Sequence, residues 1–66
     1  MYQVVVRGVT STLARVPTAT KVQVLSYVQK AGYAGIKTVS DLLKSIKANP
    51  ALAALTASGL VEAGIS

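Results

Sequence analysis

The chain has 66 residues, 52% apolar and 14% charged, and its seven Lys and Arg against two Asp and Glu give a net charge of +5. It contains no Cys, His, Trp or Phe, which excludes a zinc finger, a disulfide scaffold, a Cys nucleophile and a histidine base. This length allows one small domain, 1–66, with an N-terminal arm expected at 1–17 and a helical body at 18–66.

The fold class expected is mainly α, entered by a short extended or β segment at 2–9. That segment reads YQVVVRGV, and three consecutive Val favour a strand. One strand cannot stabilise itself, and the only candidate partner within the chain is the apolar stretch 60–65. Arg15-Val16-Pro17-Thr18 then breaks the chain, because Pro17 disfavours helix at Val16. Thr18 or Thr20 can cap the helix that starts after this break.

The next pattern is the most informative one. Leu25, Val28, Gly32, Gly35, Val39, Leu42 and Ile46 recur at spacings alternating between three and four. Lys30, Lys37 and Lys44 fall every seventh residue on the opposite side. Together they predict a long amphipathic helix at about 20–48. The seven stripe positions form a candidate helix-packing interface. Gly32 and Gly35 leave two readings open. In one, the helix is continuous and the missing side chains admit a close neighbour. In the other, it breaks at 32–36, and Thr38 or Ser40 caps a second piece with Asp41 in its first turn.

Asn49-Pro50 marks the next junction, with Asn49 as N-cap and Pro50 as the first helical residue. A short second helix at about 50–58 comes next, anchored by Leu52 and Leu55, with Gly59 suited to a left-handed stop and Leu60 packing back. The longest uncharged run, 48–61, is broken by Asn49, Pro50 and Gly59. No signal peptide and no conventional transmembrane span is expected, and location, a virion among the options, stays open.

Little chemistry is available. Asp41 and Glu62 are the only carboxylates and fall on different predicted elements, so paired-carboxylate catalysis has no basis. Ser and Thr have no activating base except Lys. Neither a phosphate-binding glycine loop nor metal-ligand spacing is present. The expectation is therefore no enzyme, no cofactor, no metal and no small-molecule substrate. The candidate contacts to an anionic partner are Lys30, Lys37, Lys44 and Lys47, facing nucleic acid, anionic lipid or simply water.

Residues 33–43, YAGIKTVSDLL, resemble the hairpin and second helix of a helix-hairpin-helix motif. Gly35 stands in place of the motif's second glycine, followed by Lys37 and Thr38. Tyr33 stands where the first glycine belongs, and Val39 replaces the usual small alanine. The resemblance covers 11 residues and implies non-specific binding of nucleic-acid phosphates through backbone N–H groups at the hairpin, which requires the helix to break at 32–36.

Two functional classes fit these residues best. The first is a structural assembly subunit, such as a minor component of a virus particle or filament, packing against copies of itself or a larger structural protein. In so short a chain the free energy of apolar burial and the entropy lost on ordering are close to balance, and neither disulfide nor metal is available to tip it. The second is a small non-specific nucleic-acid-binding protein. A cationic membrane-interacting helical peptide is a further alternative.

Overall fold

The computed structural model describes residues 2–64 and side chains from residue 4 to residue 64. Four α-helices succeed one another: α1 at Tyr2–Arg15, α2 at Thr18–Val28, α3 at Val39–Ile46 and α4 at Pro50–Glu62. No strand occurs among the described residues.

Residues 2–9, for which an extended or β segment is expected, lie within α1. The valines there carry a helical spacing as well as a strand propensity. Val6, Val9, Leu13 and Val16 lie three, four and three apart, which puts them on one side of a helix. Val9 and Leu13 are buried in the core, with Val6 and Val16 packed against it. Strand propensity is a weak preference that packing overrides. Of the stretch 60–65, residues 60–62 belong to α4 and Ile65 lies outside the described residues.

Pro17, with an extended backbone at φ −59° and ψ 156°, separates α1 from α2. Helix α2 buries Val24 and Val28. Its last turns widen into a π-type stretch at Gln29–Tyr33, which ends where Gly32 takes φ 126° and ψ 0°. The continuous form of the long helix is thus corrected, and the break falls within 32–36. Positive φ is open to glycine and strained for side-chain-bearing residues. Two hydrogen bonds hold the turn: the Ile36 N–H donates to the Tyr33 carbonyl at 3.0 Å, and the Gln29 amide Nε2 donates to the Ile36 carbonyl at 2.7 Å.

Thr38 caps α3, its hydroxyl oxygen accepting from the Asp41 N–H at 3.0 Å. Asn49 caps α4 in the same way, accepting from the Leu52 N–H at 3.1 Å, with Pro50 next in the first turn. Helix α4 extends beyond the expected 58. Gly59 does not stop it: the residue is buried inside the helix, and the left-handed glycine comes later, at Gly64 with φ 88°. A Cβ at Gly59 would lie 3.0 Å from the Tyr27 ring and 3.4 Å from Val24, so this glycine permits α2 and α4 to approach closely.

Helix α4 packs against each of the other three. It buries Leu52, Ala53, Thr56, Gly59 and Leu60, as a helix at the centre of a bundle must. Leu13, Val24, Val28, Leu42 and Ile46 close around it. The buried Thr56 hydroxyl donates to the Leu52 carbonyl at 2.7 Å. No buried side-chain polar atom among the described residues lacks a partner.

Candidate functional site

The break at Gly32 divides the predicted stripe between the inside and the outside of the domain. Val28, Leu42 and Ile46 are fully buried, and Leu25 and Val39 are partly buried against them. These residues supply the chain's own core. Gly32 and Gly35 are exposed, and a Cβ at either would meet no atom within 4 Å. Within this chain they are turn residues and bring no helix into close approach. Tyr27 and Tyr33 both pack against the core.

The lysine row is divided as well. Lys30, Lys37, Lys44 and Lys47 are all exposed, but they do not share one helix. Lys37 lies in the turn before α3. Lys30 lines a shallow hollow between α2 and α4 together with Tyr27 and Glu62. Lys47, just past the end of α3, lines a different hollow, between α1 and α3, and there it meets Arg7. Arg7 and Lys47 are forty positions apart, so no pattern of local spacing could have paired them.

The other flank of α1 has a different character. Val4, Val5, Gly8 and Thr12 face Ala57 and Leu60 of α4 across a shallow groove that contains no charged residue among the described residues. Val4 is 73% exposed and Val5 47%, and on α4 the next residue, Val61, is 68% exposed. Helix α1 therefore separates an uncharged, valine-bearing flank on the α4 side from a basic flank on the α3 side. The sequence signal for this was present in VVVRGVTSTLA: Val5, Gly8 and Thr12 recur at spacings of three and four, as do Arg7, Thr10 and Ala14, which places the two sets on different sides of a helix. That signal has meaning only in a helical segment, and the valines had pointed to a strand.

Among the described residues no group of three or more potential metal ligands comes together, and no helix is long and apolar enough to cross a membrane. No protein-family model matches the chain, and neither a curated protein nor a solved structure matches it significantly.

Proposed function

We propose that this chain is a non-enzymatic assembly subunit, of the kind found as a minor component of a virus particle or filament. It packs against copies of itself, or against a larger structural protein, through the uncharged flank where α1 meets α4. The observation that carries this reading is the exposure of Val4 and Val5 on that side. Scattered exposed valines are ordinary, but a groove bordered by them, with no charge among its described residues, is the surface type that partners cover. The stripe at 25–46 is assigned no intermolecular role, because Val28, Leu42 and Ile46 are occupied within the core.

Sedimentation velocity over a range of concentrations tests the proposal. The expected result is a defined oligomer that the double variant Val4→Lys, Val5→Lys returns to monomer while its helical circular dichroism is retained. A 6.8 kDa monomer at every concentration would overturn packing through copies.

A second reading, non-specific binding of nucleic acid, is favoured by a different observation. The chain turns within 32–36, where the helix-hairpin-helix resemblance needs its hairpin, and exposed Gly35 and Lys37 lie in the turn ahead of the capped start of α3.

A further inference from the structure

Copies of a basic chain repel one another unless an acid is placed where they meet. We propose that the hollow between α2 and α4, which both Lys30 and Glu62 line, is a second contact between copies of this chain, formed reciprocally about a two-fold axis. It rests on the assembly reading above and adds a second surface to the α1–α4 groove.

Gln23, Ser26, Tyr27 and Lys30 line the hollow from the α2 side, and Gly59 and Glu62 from α4. The groove uses Ala57 and Leu60 instead, so the two surfaces lie on different sides of α4. Lys30 and Glu62 are both exposed, and among the described residues no ion pair joins them. The two carboxylates of the chain differ in setting. Asp41 lies in the first turn of α3, where the helix dipole favours a negative charge. Glu62 is the last residue of α4, where the dipole disfavours it. A cation from a second copy offsets that penalty. Because a two-fold contact is reciprocal, Lys30 of each copy then faces Glu62 of the other.

The same residues argue for a copy over a phosphate-bearing partner, which the Glu62 carboxylate repels. Tyr27 is half-buried, with its ring held beside Gly59, and such a ring offers contact area at little loss of freedom. Ion pairs at a protein surface are individually weak. The closed form that uses two two-fold contacts per copy is a dimer of dimers, in which the hollow contact occurs twice between the same two dimers. Loss of the groove contact alone is then enough to return the chain to monomer.

Sedimentation velocity of the full chain at about 100 mM salt tests the proposal. The parent is expected as a tetramer. Lys30→Glu and Glu62→Lys, each alone, set like charges opposite one another and are expected to stop at the dimer, with dimer–dimer association at least about tenfold weaker. Lys30→Glu also lowers the net charge of +5, which on overall charge alone would ease association, so a loss is specific to the contact. An equal mixture of the two variants puts opposite charges back across the contact and is expected to return to the tetramer, within about twofold of the parent. Lys30→Gln with Glu62→Gln removes the pairs without repulsion and is also expected to stop at the dimer, which keeps the test if a charge reversal lowers the helical circular dichroism. Charge variants that assemble like the parent, or a mixture that stays dimeric, would overturn this contact and leave the groove reading standing. A parent that is monomeric at every concentration would overturn both.

Discussion

Gly32 and Gly8 are the same residue type under opposite constraints. Gly32 holds φ 126° in the turn after α2, whereas Gly8 lies within α1 with nothing within 4 Å of where its Cβ would stand. In a helix interior Ala is favoured over Gly by about 1 kcal/mol. At positive φ the added Cβ is strained. Urea unfolding should therefore find Gly8→Ala more stable by about 1 kcal/mol and Gly32→Ala less stable by about 1 kcal/mol or more. Stabilisation by both substitutions would mean that the helix runs on through residue 32. The composition offered no way to tell these glycines apart, because the distinction lies in backbone angles. Gly59 is a third case, expected to stop a helix and found instead inside one, where the Tyr27 ring takes up the space a side chain would need.

Helix boundaries were legible wherever a side chain satisfies the helix end locally. Thr38 and Asn49 each accept a hydrogen bond from the backbone N–H three residues on, which is the geometry expected of an N-cap. Replacing either by Ala should cost about 1 kcal/mol, lowering the melting temperature by about 4–8 °C in a domain of this size. Ser at either position should restore most of the loss, and thermal circular dichroism checks both. Helix α1 was not legible in the same way. Its valines satisfy the strand preference locally, and their helical spacing acquires a consequence only when Val9 and Leu13 have α4 to pack against.

At the scale of the whole molecule, a core assembled from four short helices has few redundant parts. A chain of 66 residues has a stability of about 3–10 kcal/mol, and truncating one buried Leu to Ala costs about 2–5 kcal/mol. Leu13 is fully buried on α1. Leu13→Ala should therefore lower the stability of the entire domain by about 2–5 kcal/mol in a single cooperative transition. An unchanged urea midpoint, with only the helical signal of α1 lost, would return residues 1–17 to the status of an arm. The arrangement of charge also belongs to this scale. Basic residues spread along the sequence are parted by the fold: Arg7 and Lys47 line one hollow, Lys30 lines another with Glu62, and Lys37 lies in a turn.

By itself the sequence determined the mainly helical class, the breaks at Pro17 and Asn49-Pro50, the cap at Asn49, and the apolar identity of Val28, Leu42 and Ile46, and it left the cap of α3 between Thr38 and Ser40. Each of these rests on side-chain chemistry acting over a few residues. Tertiary structure decided between the two forms of the 20–48 segment, turned the N-terminal valines into a helix, made α4 the central element and brought Arg7 to Lys47. Those outcomes depend on which surfaces can be buried against each other. That free energy is shared among helices far apart in the chain, and no local spacing records it.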